Sequence, residues 1–271
     1  MDSSDGVGEG PEILIERRGN VALLTINRPR IRNALGLSFG ENLLHALLEV
    51  EADESVLAVV LAGAGPIFSA GAKIGESIGE NVDKKRRDAS FRNLLKAMSA
   101  IRNLEIPVIC ALNGTTVGGG VSIALACDIV VAAEDAAYLF AFGRVGASAA
   151  DLGCAHMLPR IVGVARARHI LLGGLRVDAQ MGKEYGLFAE IVPKERLLET
   201  ALKIAENVAS TGPRAAIAAT KQVVLRGENI DFETCLYYEN FLQKSFLDSD
   251  ESVERVQKML KAMEKASAQR A

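Results

Sequence analysis

The sequence of 271 residues has no tryptophan, three histidines and four cysteines, and each scarcity removes a class of function. Cys110, Cys127, Cys154 and Cys235 form no C-x-x-C pair. Three of them fall in apolar segments, where a thiol acts as a small hydrophobe, so no disulfide framework is expected and a reducing compartment is. His45, His156 and His169 have no ligand-spaced companions, and no metal site is expected. No apolar run is long enough to span a bilayer, so no membrane partner is expected. The start MDSSDGVGEGP is acidic and glycine-rich rather than basic, apolar and small, which makes the cytoplasm the expected location. With 31 basic and 34 acidic residues the net charge is −3, and the concentrated basic surface needed to bind nucleic acid is missing. The one basic cluster, Lys84, Lys85, Arg86 and Arg87, reads as a solvated helix start or loop.

What is present suits an enzyme with one large core: 49% of the residues are hydrophobic and 24% charged. Residues 12–27 alternate around Arg17-Arg18-Gly19-Asn20 and read as a hairpin, and Ser38 opens a helical pattern through Leu43, Leu44, Leu47 and Leu48. Strands are expected at 57–62, 107–112, 128–133 and 137–142. Helices are expected at 89–103, 119–126 and 164–172. From 195 onward the pattern is helical, with breaks near Gly212-Pro213, Gly227 and Asp248-Ser249-Asp250.

The most informative stretch is 106–128, IPVICALNGTTVGGGVSIALACD, where a buried strand runs through three glycines into an apolar helix. Gly118, Gly119 and Gly120 have no side chain to cover the N–H groups that a helix leaves unpaired in its first turn. Such donors suit an anion or an oxygen that becomes negative during a reaction. The same glycines also serve a tight strand-to-helix connection with close packing. A second strand followed by a Gly/Ala/Ser loop, LAVVLAGAGPIFSAGA at 57–72, would let two donor-rich turns converge on one oxygen.

GPIFSAGA followed by NGTTVGGG, with NRP and RNAL at 27–35, resembles the enoyl-CoA hydratase/isomerase family, the crotonase superfamily. The likeness continues through LPRIVG at 158–163 and YGLFAEIVP at 185–193, and covers the chain past about residue 11. It implies an α/β fold, a crotonase-like spiral of repeated β-β-α turns with a helical C-terminal oligomerisation region. The expected division is a disordered tail at 1–11, a spiral core with the acyl-CoA site at 12–194 and a helical region at 195–271. It also implies an acyl-CoA substrate, no further cofactor, and assembly as a homotrimer or dimer of trimers. The thioester oxygen would sit between the main-chain amides of Ala72, in SAGA, and Gly119, in GGG. Arg32, Asn33 and Ala34 would lie near the adenine end of coenzyme A; attraction of its phosphates is the alternative reading of Lys84 to Arg87. Ile74, Ser122 and Phe142 would shape the acyl pocket, and Ala70 and Gly118 would also bind substrate. Relatives often continue SAGA with aspartate, where Lys73 stands here.

The departures from the family pattern bear on the reaction. Hydratases of this family carry a glutamate two residues after the triple glycine and another near the end of the next strand, one to activate water and one to deliver a proton. Ser122 holds the first position and the second falls near Phe142, and neither side chain does acid–base work near neutral pH. Asp151, in AADLGCAHMLPR, has the spacing to Leu158-Pro159-Arg160 of the catalytic aspartate in isomerase-type and dehalogenase-type relatives. A single carboxylate suffices to carry a proton between carbons through an enolate, which is a double-bond shift. Asp151 also precedes an apolar helical run, and an N-cap is its alternative reading.

Aromatic dehalogenation would need a tryptophan near Phe142 and a histidine where Leu95 stands. Gly120-Val121-Ser122-Ile123-Ala124 approximates a serine-hydrolase elbow, but the glycines put Ser122 inside a helix rather than directly after a strand. His156 reads as structural or surface-exposed. Glu76 and Glu80 read as a solvated face, with either able to supply a missing acid. The expectation is therefore an enoyl-CoA isomerase with Asp151 as proton carrier. Two alternatives stand beside it: a hydratase using non-standard acid–base residues, and an inactive coenzyme A binder or scaffold.

Overall fold

The computed structural model describes residues 10–79 and 82–268. Its first strands, β1 (Ile13–Arg18) and β2 (Val21–Ile26), pair antiparallel with Arg18 opposite Val21, leaving Gly19 and Asn20 as a two-residue turn. Residues 1–9 of the expected tail lie outside the described residues. Residues 10–12 are tied down. The Glu12 carboxylate accepts hydrogen bonds from Ser38 Oγ at 3.1 Å and Asn42 Nδ2 at 2.7 Å, and its carbonyl accepts from Asn27 N at 2.8 Å.

Helix α1 (Phe39–Ala52) buries Phe39, Leu43, Ala46, Leu47 and Val50, the stripe that a 3.6-residue period brings to one side. β3 (Ala58–Gly63) follows, then α2 (Lys84–Asn103), whose buried face is Leu94, Ala97, Met98 and Ile101. The sequence places the start of α2 at 89. It begins five residues earlier because the Asp83 carboxylate caps it, accepting from Arg86 N at 3.1 Å. The helices α1 and α2 pack together at Gly40, where a Cβ would lie 2.5 Å from Leu94 N.

β4 (Val108–Leu112) leads through β5 (Thr115–Val117) into α3 (Gly119–Ala126). β6 (Ile129–Ala133) and β7 (Ala137–Leu139) follow, then α4 (Cys154–Val162), α5 (Val164–Gly173), β8 (Arg176–Asp178), α6 (Ala179–Glu184), β9 (Glu190–Val192) and α7 (Leu197–Thr211). The main sheet has the order β1-β2-β3-β4-β6-β9, with every neighbour from β2 onward parallel. Parallel strands are covered on both faces, which is why β3 and β4 are continuous apolar runs at no more than 1% exposure over 58–61 and 108–112. β5, β7 and β8 make a second sheet. The circuits β4–β5–α3 and β6–β7–α4 each lay one strand in each sheet before a helix, and this is the β-β-α spiral.

Two local expectations are corrected. The strand expected over 137–142 stops at Leu139, and 141–145 coil into a 3-10 turn closed by Gly146 in the left-handed region. β5 and β8, at three residues each, are too short for alternation to reveal.

The chain falls into two compact units, Met1–Ser210 and Thr211–Ala271. Helix α7 buries Leu197, Ala201, Leu202 and Ala205 in the core of the first unit. The second unit holds α8 (Arg214–Gly227), packed on α9 (Phe232–Leu247), and α10 (Asp250–Ala268), also packed on α9. Among the described residues no helix is long and apolar enough to cross a membrane.

Candidate active site

The two donor-rich turns lie against each other because two glycines let them. A Cβ on Gly71, whose φ is +79°, would stand 2.7 Å from the carbonyl oxygen of Val117, and one on Gly120 would stand 2.7 Å from Cβ of Ser69. The contact is hydrogen-bonded as well, with Val117 N donating to the Ser69 carbonyl at 3.0 Å and Phe68 N to that of Asn113 at 2.7 Å.

In the first turn the main-chain N–H groups on either side of Ala72 have acceptors. Ala70 N donates to the Arg32 carbonyl, Gly71 N to Ser69 Oγ and Lys73 N to the Leu35 carbonyl, at 2.9, 3.2 and 3.0 Å. In the second, Gly118 N donates to the Leu139 carbonyl at 3.1 Å. Among the described residues no acceptor takes the N–H of Ala72 or of Gly119, and both residues line one cavity. Gly119 is the first residue of α3, where a helix leaves its donors open and its dipole is positive.

That cavity has a volume of about 540 Å³ and is mostly apolar, lined by Leu35, Ile78, Phe91, Leu94, Leu139 and Leu152 among others. It brings together Ala70, Ala72, Ile74, Gly118, Gly119, Phe142 and Asp151. Arg87 and Arg144 also reach it, whereas Lys84, Lys85 and Arg86 do not. Among the described residues Asp151 is the single carboxylate on its lining. Burial pushes the Asp151 carboxyl above the ordinary carboxylate range, against an opposing hydrogen bond from the N–H of Leu152.

The N-cap reading of Asp151 does not hold. Helix α4 is capped by Gly153 with φ of 80° and receives no side-chain cap, and Asp151 offers Cys154 N only its main-chain carbonyl, at 2.9 Å. Beneath Asp151, burial drives the Cys154 thiol up to about 12, helped by the Asp151 charge and opposed by a hydrogen bond with Ser122. This thiol therefore stays protonated at neutral pH.

Ser122, expected in the acyl pocket, does not line the cavity, and neither do Arg32, Asn33 and Ala34, expected at the adenine end of coenzyme A. Ser122 is fully buried inside α3 and its Oγ donates to the Asp151 carbonyl at 3.2 Å, which also removes it as an exposed serine nucleophile. Asn33 is fully buried, and its side chain accepts from Arg28 N and donates to the carbonyls of Ala64 and Ile67, all at 2.9 Å. It is a clamp that shapes the turn carrying Ala72. Arg32 is exposed and, like Asn33, left-handed, with φ of 54° and 53°, while Ala34 is half-buried beside them. Leu35, next in sequence, does line the cavity.

Glu76 is turned away from an acid's role. Burial raises its carboxyl, but the N–H of Leu37 and the Lys73 ammonium outweigh that and, with Arg86, hold it below the usual range. Lys73 Nζ lies 2.6 Å from Glu76 Oε2, and the residue is off the cavity lining. Glu80 lies outside the described residues. His156 is exposed on α4. Among the described residues no group of three or more His, Cys, Asp or Glu side chains could hold a metal ion.

Sequence reasoning missed the wall that α2 supplies, although Arg87, Ser90, Phe91 and Leu94 recur at i, i+3, i+4 and i+7 and share one helix face. Arg144 had no such signal, because the turn that presents it has no period.

A β-β-α spiral whose two buried turns hold unclaimed amides over an apolar cavity is the crotonase fold, and comparison with known proteins agrees. The model of the family described as enoyl-CoA hydratase/isomerase matches residues 16–269, and the chain belongs to that family. A short-chain-enoyl-CoA hydratase of Clostridium acetobutylicum is 35% identical over 230 residues, 84% of this chain and 86% of that protein. A probable enoyl-CoA hydratase of Rhizobium meliloti is 34% identical over 242 residues, 89% of this chain and 92% of its own. The crystal structure of an enoyl-CoA hydratase from Bacillus anthracis superimposes with a TM-score of 0.87 at 32% identity, over 93% of this chain and 96% of that one.

Proposed function

We propose that the protein shifts a carbon–carbon double bond in an acyl-CoA thioester, converting a 3-enoyl to a 2-enoyl chain. The thioester oxygen accepts hydrogen bonds from the N–H groups of Ala72 and Gly119. Asp151 takes a proton from C2, and the electron pair delocalises onto that oxygen and along the chain. The same carboxyl then returns the proton at C4, leaving the double bond between C2 and C3. An oxyanion donor of this kind is worth about 2.7–4 kcal/mol in barrier height. No cofactor is called for, since the thioester acidifies C2 and the amides hold the charge.

The single observation that carries this reading is the solitary carboxylate. Adding water needs one group to activate it and another to deliver a proton, whereas the cavity offers Asp151 alone among the described residues, with Phe142 on the wall and Ser122 behind it. Burial also keeps the Asp151 carboxyl nearer the protonation range that proton transfer in both directions requires. The names of the relatives favour the second reading, hydration with unconventional acid–base groups.

The test is to follow 3-enoyl-CoA conversion and 2-enoyl-CoA hydration over a range of chain lengths in the wild type and in Asp151→Asn. Isomerisation in the wild type that is lost in the variant supports the reading. Hydration without isomerisation refutes it in favour of the hydratase, and tight acyl-CoA binding without turnover favours a binder. The same reading gives a homotrimer or dimer of trimers, supported by apolar side chains that α9 leaves open, Phe232 at 78% and Tyr237 at 74% exposure. Light scattering on the full chain decides it, and a monomer counts against it.

A further inference from the structure

We infer that Ser122 is a positioning residue: by tying the main-chain carbonyl of Asp151 to α3, it sets how far the carboxylate stands from the Gly119 amide. The inference rests on the reading of Asp151 as proton carrier.

Helix α3 carries both ends of this arrangement. Gly119 is its first residue, and Ser122 follows three positions later, about 4.5 Å further along the axis at 1.5 Å per residue. Every residue of α3 after Gly119 is buried, so the helix is packed in place and what Ser122 holds is tied to the same element as the amide. What it holds is the carbonyl of Asp151, at 3.2 Å from Oγ. Cys154 N donates to that same oxygen at 2.9 Å, so the peptide unit after Asp151 is gripped from α3 on one side and α4 on the other.

The grip has a visible consequence in the backbone. Leu152 is left-handed, with φ of 47°, a conformation that a residue bearing Cβ keeps only when its surroundings dictate it. The Leu152 N–H belongs to that same gripped peptide unit and favours the ionised Asp151 carboxyl, against the larger effect of burial. The Leu152 side chain in turn rests on the start of α3, its Cδ1 lying 3.3 Å from where a Cβ on Gly119 would be. Hydroxyl, carbonyl, strained turn and carboxylate thus form one chain of contacts that begins and ends on α3. Nothing in it requires Ser122 to touch substrate, and Ser122 is absent from the cavity lining.

Removing the hydroxyl leaves the Asp151 carbonyl bonded to Cys154 N, while the Cys154 thiol loses its hydrogen bond with Ser122 and the carboxylate loses its fixed offset. The experiment is a double-mutant cycle on the full chain with Ser122→Ala, Asp151→Asn and the pair. It is read as kcat and KM for 3-enoyl-CoA, as affinity for a saturated acyl-CoA, and as a pH–rate profile. Ser122→Ala should lower kcat by roughly 10–100-fold, the scale of a displacement of about 1 Å. KM and acyl-CoA affinity should stay at the wild-type value, and the acidic limb should move to lower pH as the loosened carboxyl reaches water. The pair should be no slower than Asp151→Asn alone. Ser122→Cys, which keeps a weak donor of similar size, should recover part of the loss and serves in place of the alanine variant if that one does not fold. Wild-type kcat in Ser122→Ala, losses that multiply in the pair, or a pH profile that does not move would overturn the inference. Full activity in Asp151→Asn would instead overturn the proton-carrier reading, and that result is obtained before Ser122 is altered.

Discussion

Replacing Gly71 by alanine tests whether the two turns must stay in contact for catalysis. The new Cβ meets two independent penalties. At φ +79° an L-residue is in the left-handed region, at roughly 1–2 kcal/mol. The methyl also lands 2.7 Å from the Val117 carbonyl oxygen, a main-chain atom that cannot rotate away, and overpacking of this kind costs about 1–3 kcal/mol. The turn relieves the clash only by withdrawing from Val117 and Gly118, which carries the adjacent Ala72 N–H away from the Gly119 N–H. Gly75→Ala is the matched control. Its φ is +84° but nothing lies within 4 Å of the added carbon, so it meets the backbone penalty without the clash. Urea denaturation should therefore show a loss of about 1–2 kcal/mol for Gly75→Ala and about 2–5 kcal/mol for Gly71→Ala. Turnover of 3-enoyl-CoA, followed by ultraviolet absorbance of the conjugated product, should be near wild type in the first and down by about 10²–10³-fold in kcat in the second, the scale of one lost oxyanion donor. A folded Gly71→Ala protein with the kcat of Gly75→Ala would refute the argument that the Ala72 amide and its distance from Gly119 matter.

Asp151→Asn should raise the melting temperature while isomerisation is lost. Burial lifts the carboxyl above its unfolded value, so its contribution opposes folding increasingly as pH rises through that window, and scanning calorimetry should find the gain over wild type at neutral pH and none well below the carboxylate range. Glu76→Ala should behave in the opposite sense. Its carboxyl is held below the ordinary range, so the stabilisation is present at neutral pH and fades as pH falls through the folded value; a loss of about 0.5–1.5 kcal/mol should shrink in acid, with kcat within a few-fold of wild type. Asn33→Ala should leave the Ala64 and Ile67 carbonyls and the Arg28 N–H without their partner, destabilising by at least about 1–3 kcal/mol in chemical denaturation, with kcat falling because the turn that holds Ala72 loosens.

The parts of the fold that were legible are those in which one physical demand acts on many consecutive residues. β3 and β4 are apolar throughout because parallel neighbours and helices cover both faces, and α1 repeats its leucines because only one side is covered. The triple glycine was legible because a run of residues without side chains leaves helix-start amides uncovered, and at Gly120 an added Cβ would also meet that of Ser69 at 2.7 Å. Ser122 was not legible as a brace. Its helix is buried on every side, so no periodicity says where a hydroxyl on it points. Asn33 sits among charged and polar neighbours and resembles a ligand contact, yet the left-handed backbone at Arg32 and Asn33 turns its amide inward, and that turn depends on carbonyls more than thirty residues away in the chain. β5 and β8 exist only because partners pull three residues each into line.

Helix α2 serves two masters along its length. Its C-terminal half, through Leu94, Ala97, Met98 and Ile101, is embedded in the core, while Arg87, Ser90 and Phe91 in its first turns face the cavity. The amides and the acid come from elsewhere, on turns locked to the sheets. If the proposed reaction holds, one wall of the cavity is supplied by a helix that carries neither the two amides nor the acid, and exchanging Phe91 or Ser90 should change which acyl chains are turned over while leaving the turns that hold Ala72, Gly119 and Asp151 in place.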